Sequence, residues 1–327
     1  MGHLLPALSE AKFTTEREVV LNERRQNYEN RPYGLSSVAL AEALFPEGHP
    51  YRWVTIGAPA DLVASSVDDA RDFFRAFYHP GNASIAIAGD VDAADTMGLV
   101  ERYFGDLPPG PAVLHPHRTT TLEREARLVL EDRVELPRLS LSWHTPEMFH
   151  DDDAAMDIAA DVLANGKTSR LYRSLVYEAR LAADVSAMQA SREMSSVFHV
   201  VATAVPGSAL AALDDAITRA LEELAATGPT TAELERATAR AEAQFVYRVQ
   251  TIGGFGGKSD QLNAYNVFTG SPGYMQADRE RYARATAQSV ASAVKRWLRE
   301  APRVALSVVP RGQSVLALPG SEQVFPA

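Results

Sequence analysis

The sequence contains no cysteine, and this absence excludes several chemistries at once. Disulfide bonds, thiolate nucleophiles and cysteine-ligated zinc are all impossible, so any bound metal must use histidine, aspartate or glutamate ligands. The redox compartment stays open, because a cysteine-free protein tolerates oxidising and reducing surroundings alike.

Long hydrophobic runs and an excess of basic residues are also missing. No stretch of the 327 residues is apolar enough to predict a transmembrane helix. The formal net charge is −10, which weighs against binding to nucleic acids or acidic membranes, because both are polyanions that attract basic surfaces. The opening residues carry no basic region ahead of their apolar run, so they do not predict an export signal.

Histidine pairs and phosphate loops with the required spacing are absent as well. No two of the eight histidines lie four residues apart, so neither HExxH nor its inverse HxxEH occurs. The glycine-rich stretch at residues 253–259 resembles a phosphate loop, but Ile252 stands where the first glycine is required. We interpret this stretch as a flexible connection between helices, and residues 165–168 fail the same test.

Helical and strand patterns occur in blocks along the chain. Periodicity predicts helices over residues 35–44, 67–78, 93–104, 153–163, 169–178, 210–225, 231–250, 260–269 and 286–298. Short apolar runs predict strands over residues 83–88, 126–131, 139–144, 184–190, 197–204 and 304–309. Because the elements come in blocks, the order favours an α+β fold with an antiparallel sheet packed against helices.

Chain length and one proline-rich segment predict two domains. A chain of 327 residues exceeds one typical domain. Prolines and a glycine interrupt every periodic pattern between residues 107 and 117. We therefore predict a first domain over residues 1–110, a linker over 111–118 and a second domain over 119–327.

A further helix is predicted between Thr15 and Pro32. Thr15 and Glu18 have the spacing of a capping box, in which the two side chains satisfy free backbone N–H groups, so the helix is expected to begin there. Pro32 lacks a backbone donor and disfavours helical geometry in the residue before it. The helix is therefore expected to end near Arg31.

Two acidic residues of this helix, Glu16 and Glu23, flank the apolar stripe that Val19 and Val20 begin. No basic residue lies three or four positions from Glu23, so the helix offers it no cation. A carboxylate held on a buried apolar face needs a hydrogen-bond partner or a metal. Glu23 is therefore either a solvated surface residue or a metal ligand.

Segments along the whole chain resemble the insulinase-like M16 zinc metallopeptidases. In order they are EREVVLNERRQNYENRPYG, FPEGHPYRWVTIG, FYHPGNASIAIAGD, ERYFGDLP, TSRLYRSLVYEARLAADVSA, TTAELERATA and YNVFTGSPGY. The resemblance implies two M16-type domains of antiparallel sheet packed with helices, the first of them incomplete.

The resemblance also implies roles for the two acids. In that family zinc is held by two histidines of an HxxEH motif and by a glutamate on a later helix. Glu23 matches this third ligand, and Glu16 matches an acidic position that supports the metal site. Only 22 residues precede Glu23, whereas the family's HxxEH lies far upstream, so both histidines and the catalytic base are missing and no catalytic residue is assigned.

We therefore expect a zinc-peptidase-like protein that is inactive by itself and binds zinc weakly at best. An M16-type half encloses its cavity by facing another half, which implies a homo- or heterodimer around a peptide substrate. Substrate-binding residues stay unassigned, because Val176 and Ala183 stand where the family has Arg and Tyr. The alternative is a non-catalytic scaffold subunit that completes a peptidase chamber or an assembly.

Overall fold

A computed structural model of the chain describes residues 7–114, 118 and 120–326. Residues 115–117 of the predicted linker lie outside the described residues. The described residues form two compact units. The first comes from the stretches Met1–Asn22, Pro59–Pro116 and Ala241–Arg279, and the second from Glu23–Ala58, His117–Arg240 and Glu280–Ala327. The domain boundary at residues 111–118 stays a prediction.

The second unit is built on a six-stranded sheet. Its strands are β1 Ala126–Asp132, β2 Arg138–Thr145, β3 Ala182–Ala190, β4 Ser196–Ala204, β5 Val304–Pro310 and β6 Glu322–Gln323. They are ordered β3–β4–β2–β5–β1–β6. The first three pairings are antiparallel, whereas β5–β1 and β1–β6 are parallel. The α+β class is confirmed, and the sheet is mixed rather than antiparallel throughout.

Eleven α-helices are described. In chain order they are α1 Glu10–Arg24, α2 Ser36–Leu44, α3 Pro59–Ala64, α4 Val67–Phe77, α5 Ala93–Phe104, α6 Asp153–Ala164, α7 Leu210–Thr227, α8 Thr231–Gln250, α9 Lys258–Thr269, α10 Met275–Ala283 and α11 Ala287–Val294. Short π-helical segments occur at Arg25–Glu29, Tyr172–Glu178 and Lys295–Arg299, and the first and third directly follow α1 and α11. None of the described helices has the length and apolar character needed to cross a lipid bilayer.

One face of the sheet carries the main core of the second unit. Leu139, Leu141 and Trp143 alternate along β2 and are fully or almost fully buried. They belong to one apolar cluster with residues of α6, α7 and α11. The strand predicted over residues 139–144 is therefore confirmed.

The opposite face of the sheet is covered in part by α2. Leu40, Leu44 and Phe45 form a second apolar cluster with strand residues that include Leu128 and Leu306. The predicted helix over residues 35–44 is therefore confirmed, and its apolar residues fix α2 against β1 and β5.

Two local predictions are wrong. Helix α1 begins at Glu10, and the Thr15 hydroxyl donates to the Ala11 carbonyl oxygen at 2.9 Å within the helix, so Thr15 and Glu18 form no capping box. Residues 83–88 are not a buried strand, because they pair with no described strand, and Ile85 is 59% exposed. Helices α3 and α10 and strand β6 were not predicted from the sequence.

The first unit is helical wherever it forms regular structure in the described residues. Helix α4 begins with a capping box in which the Ser66 side chain accepts from the backbone N–H of Asp69 while the Asp69 carboxylate accepts from that of Ser66. Large apolar side chains of α4 and α5 stay on the surface, among them Phe73 and Tyr103. This unit therefore buries much less apolar surface than the second unit does.

Candidate functional site

Helix α1 carries both residues that the resemblance assigns to a metal site. Glu16 and Glu23 lie seven residues apart, which is about two turns of α-helix. Both residues are exposed, and no ion pair or hydrogen bond of either side chain is found among the described residues. Glu16 belongs to the first unit and Glu23 begins a stretch of the second.

The apolar stripe of α1 is not buried in the way the sequence predicts. Val19 is 53% exposed, and Val20 and Leu21 are half-buried. The prediction that Glu23 borders a buried stripe is therefore wrong, and its exposed carboxylate has no partner among the residues that the structure describes. The proposed role of Glu23 as a metal ligand stays a prediction that now depends on the resemblance alone.

Arg24, the next residue, is the buried residue of this helix. Its side chain is 2% exposed, and its Nη1 donates to the Gly57 carbonyl oxygen at 2.5 Å. Its Nε lies 3.3 Å from a carboxylate oxygen of Glu29, and its guanidinium lies near the Tyr28 ring. Successive helical residues point about 100° apart, and Glu23, the preceding residue, is exposed.

The described residues do not form a complete zinc site. Among residues 7–114, 118 and 120–326, no group of three or more His, Asp or Glu side chains lies close enough together to hold a metal ion. Catalytic zinc requires three protein ligands and an open position for water. Glu23 would supply one of these ligands, so no hydrolytic step can be assigned to these residues.

His144 forms a buried polar contact that the sequence analysis did not single out. Its Nε2 lies 2.8 Å from the Leu44 carbonyl oxygen, and its Nδ1 lies 3.1 Å from Ser195 Oγ. Burial lowers the pKa of His144, against the effect of the hydrogen bond to Leu44. The neutral ring thus ties the end of α2 to β2. The signal for it was the polar alternation of Ser140, Ser142 and His144 along that strand.

A second serine–histidine pair crosses the sheet from β2 to β4. Ser142 Oγ lies 2.8 Å from His199 Nδ1, at directly opposed positions of the two strands. Burial, followed by the nearby positive charge of Arg192, lowers the pKa of His199 to about 4. Ser142 has no exposed surface, so the pair presents no accessible nucleophile. We assign it a structural role.

Arg170, near the start of the TSRLYRSLVYEARLAADVSA segment, also has a structural role. Arg170 donates from Nε and Nη2 to both carboxylate oxygens of Glu233, at 2.9 and 2.7 Å, and from Nη2 to the Gly228 carbonyl oxygen. Burial acts to raise the pKa of Glu233, but the hydrogen bonds from Arg170 and Thr230 lower it to about 2. The pair therefore fixes the start of α8 rather than facing a substrate.

Comparison of the sequence with known proteins identifies the family. The family model described as the peptidase M16 inactive domain matches residues 65–240, which is more than half of the chain. The zinc protease PqqE of Helicobacter pylori is 29% identical over 248 residues, which cover 75% of this chain and 56% of that protein. An uncharacterized zinc protease of Mycobacterium leprae is 29% identical over 227 residues, covering 67% of this chain and 49% of that protein. The chain thus spans about half the length of these relatives.

Solved structures share the fold. A protease from Helicobacter pylori superposes with a TM-score of 0.80 at 24% identity, covering 92% of this chain and 72% of that one. A peptidase M16 inactive domain from Pseudomonas fluorescens gives a TM-score of 0.80 at 18% identity, covering 92% and 71%. The first half of the periplasmic protease PqqL from Escherichia coli gives a TM-score of 0.73 at 14% identity. The match covers 95% of this chain and 69% of that one. With the family model matching more than half of its length, the chain belongs to the M16 peptidase family.

Proposed function

We propose that this chain is an M16-type half of a peptidase assembly and that it hydrolyses no peptide bond by itself. The observation that carries the proposal is the exposed carboxylate of Glu23, which has no partner among the described residues, in a chain whose sequence is similar to zinc proteases. Activation of water by zinc needs two further ligands and a carboxylate base, and the described residues supply neither around Glu23.

Under this proposal the two acids of α1 have different tasks. Glu23 supplies one oxygen ligand to a zinc ion whose other ligands lie outside the described residues. Glu16 supports that site through its negative charge and does not bind the metal. One carboxylate cannot hold zinc tightly, so the isolated chain is expected to bind the ion weakly.

The proposed partner is a second M16-like half, either another copy or a related chain, with a peptide substrate enclosed between them. Support comes from the match to a domain described as inactive and from the shared fold with the half-length PqqL structure. The net charge of −10 supports a partner other than nucleic acid.

Zinc affinity of matched variants tests the role of Glu23. We expect Glu23→Gln to weaken the zinc binding of the purified chain several-fold in calorimetry, because the neutral amide is a poorer ligand than the carboxylate. Glu18→Gln is the matched control, since Glu18 is an exposed acid of the same helix. Equal zinc affinity in both variants would remove the ligand role and favour the scaffold alternative.

Light scattering tests the pairing. We expect the mass of the purified chain to rise with concentration, or a related M16-type chain to copurify with it. A mass that stays at 35.5 kDa at high concentration, with no related chain present, would contradict the pairing.

A further inference from the structure

The turn that follows helix α6 contains the pair Asn165–Gly166, and no other asparagine of the chain precedes a glycine. Asparagine is a chemically labile residue, because a backbone nitrogen can attack its side-chain amide carbon. Glycine in the next position favours this attack, since a residue without a Cβ leaves its own nitrogen unhindered and its backbone free to rotate. Residues 165–168 are all exposed. This stretch, which is no phosphate loop, therefore has the composition of a site for succinimide formation.

The backbone of this turn leaves room for the reaction. Asn165 ends α6 with extended dihedral angles of φ −91° and ψ 104°, and its N–H donates to the Asp161 carbonyl oxygen at 3.0 Å. Gly166 has φ +85°, a value that favours glycine, and a Cβ atom added there would meet no described atom within 4 Å. The neighbourhood of Gly166 is thus open to a change in the position of the Asn165 side chain.

The Asn165 side chain is held by a polar contact between α6 and α8. Its Nδ2 donates to Asp161 Oδ2 at 2.7 Å, and the same oxygen accepts from Arg240 Nη1 at 2.9 Å. Because an ionised carboxylate only accepts hydrogen bonds, the contact fixes which end of the amide faces Asp161. Asp161 lies about one helical turn before Asn165, so the amide nitrogen is directed back along α6 rather than toward Gly166.

We propose that Asn165 is a site of spontaneous modification, at which the Gly166 nitrogen closes a succinimide ring that water then opens. In the first step the bond from Gly166 N to Asn165 Cγ forms and the bond from Cγ to Nδ2 breaks. The proton of the Gly166 N–H leaves with that nitrogen as ammonia. In the second step water adds to one of the two ring carbonyls. Opening at Cγ gives aspartate, and opening at the backbone carbonyl carbon gives isoaspartate, whose main chain runs through Cβ.

Both products disturb the contact between α6 and α8. The amide donor to Asp161 is replaced by a carboxylate, so two like charges face a single arginine, Arg240. Isoaspartate also lengthens the main chain by one carbon ahead of Ser169, whose N–H and hydroxyl donate to the Gly166 carbonyl oxygen at 3.2 and 2.7 Å. Ser169 is 1% exposed, so the added length is transmitted to a buried part of the second unit.

The contact with Asp161 slows the reaction in the folded chain and does not prevent it. It is one hydrogen bond at an exposed side chain, so it opens without unfolding of the helix. The modification needs water and no cofactor or oxidant. This inference concerns the second unit alone and does not depend on zinc, on peptide hydrolysis or on a partner chain.

Incubation of the purified chain at neutral pH, followed by peptide mapping, tests the site. Mass spectrometry detects the exchange of amide for carboxylate, and labelling by isoaspartyl methyltransferase detects isoaspartate. The control within the same chain is Asn30, which is exposed and ends the π-helical segment Arg25–Glu29 but precedes Arg31. We expect Asn165 to lose its amide at least about tenfold faster than Asn30 and to give isoaspartate. Equal rates at the two asparagines would overturn the proposal.

Three variants test the mechanism. Gly166→Ala should lower the rate at Asn165 toward that of Asn30, because the new Cβ hinders the attacking nitrogen. Lys167→Ala, which keeps the Asn–Gly pair in the exposed turn, should leave the rate unchanged. Asp161→Ala releases the amide and should raise the rate several-fold in the folded chain, but not in urea, where the unmodified chain lacks the contact as well.

Two results from the variants would contradict the mechanism. A rate in Gly166→Ala as high as that of the unmodified chain would exclude ring closure by the Gly166 nitrogen. Equal rates of the folded Asp161→Ala variant and the folded unmodified chain would exclude the restraint by Asp161. The comparison with Asn30 uses the unmodified chain, so it decides the main proposal even where a variant does not fold.

Discussion

The Nη1 of Arg24 donates to the Gly57 carbonyl oxygen across 33 positions of sequence, at a distance of 2.5 Å. This contact buries the guanidinium at the end of α1 and leaves Glu23, one position earlier, in solvent. The buried arginine and the exposed glutamate are thus adjacent in sequence but lie on different sides of the helix. An arginine at this position provides both a charge for Glu29 and a donor for the loop that contains Gly57.

Removal of the Arg24 side chain should destabilise the second unit. We expect Arg24→Ala to lower the free energy of unfolding by roughly 2 to 4 kcal/mol, because a buried donor to a carbonyl and an ion pair are both lost. Urea unfolding followed by circular dichroism measures the effect. Arg25→Ala is the control, because Arg25 is exposed, and it should change stability by less than about 0.5 kcal/mol. Equal losses in the two variants would show that the buried contact contributes nothing specific.

The ion pair of Glu233 with Arg170 should make the free energy of unfolding depend on pH in the acid range. The folded-state pKa of Glu233 is lowered to about 2, so its contribution is present above the ordinary carboxyl pKa near 4.5 and is lost as the pH falls toward 2. Glu233→Gln should therefore reduce stability at pH 7 by roughly 1 to 3 kcal/mol and flatten the pH dependence between 4.5 and 2. Glu235→Gln, at an exposed position of α8, serves as the control. If the free energy of unfolding of Glu233→Gln fell between pH 4.5 and 2 as steeply as that of the unmodified chain, the ion pair would be contradicted.

His199 should cause a second loss of stability on acidification, in a pH range above that of Glu233. Its folded-state pKa of about 4 lies below its ordinary value of 6.5, because protonation is disfavoured in the sheet. Its contribution is therefore complete above pH 6.5 and is lost as the pH falls from 6.5 to 4, by up to roughly 3 kcal/mol. His199→Asn, which keeps a polar group near Ser142, should reduce the slope in this window. Urea unfolding at several pH values measures the effect. If stability fell as steeply between pH 6.5 and 4 in His199→Asn as in the unmodified chain, the lowered pKa of His199 in the folded state would be contradicted.

Limited proteolysis should cut the first unit before the second. Residues 84–91 lack backbone hydrogen bonds to other described residues, and apolar side chains of α4 and α5 are exposed. Segments with few buried contacts open most readily. We expect early cleavage before Pro111, with a fragment of the second unit that persists, as identified by mass spectrometry. Simultaneous disappearance of fragments from both units would contradict this order.

Strong local patterns were sufficient to predict most of the elements. The periodicity over residues 93–104 and 231–250 predicted helices α5 and α8 with their observed bounds. Strands β1 to β5 of the second unit were located to within a few residues, because short apolar runs are buried in the sheet, whereas the two-residue strand β6 was missed. The parallel pairing of β1 with β5 could not be foreseen, because these strands lie far apart in sequence and their own patterns do not specify direction.

The candidate site was harder to predict because burial depends on what packs against a helix. Val19 and Val20 predicted a buried stripe, yet the tertiary contact is made by Arg24, a residue type that seldom lies inside a protein. In the same way, residues 83–88 have the pattern of a buried strand but lack a strand partner in the described residues. The ligand role of Glu23 came from resemblance, and local physical patterns alone could not have supplied it.

The rate of zinc-dependent hydrolysis of an unstructured fluorescent peptide tests the central claim most directly. The purified chain, supplied with zinc at neutral pH, should cleave the peptide no faster than buffer with zinc alone, and Glu23→Gln should leave that rate unchanged. A zinc-dependent rate well above the buffer rate, abolished by Glu23→Gln and retained by the control Glu18→Gln, would contradict the claim that this chain is inactive by itself.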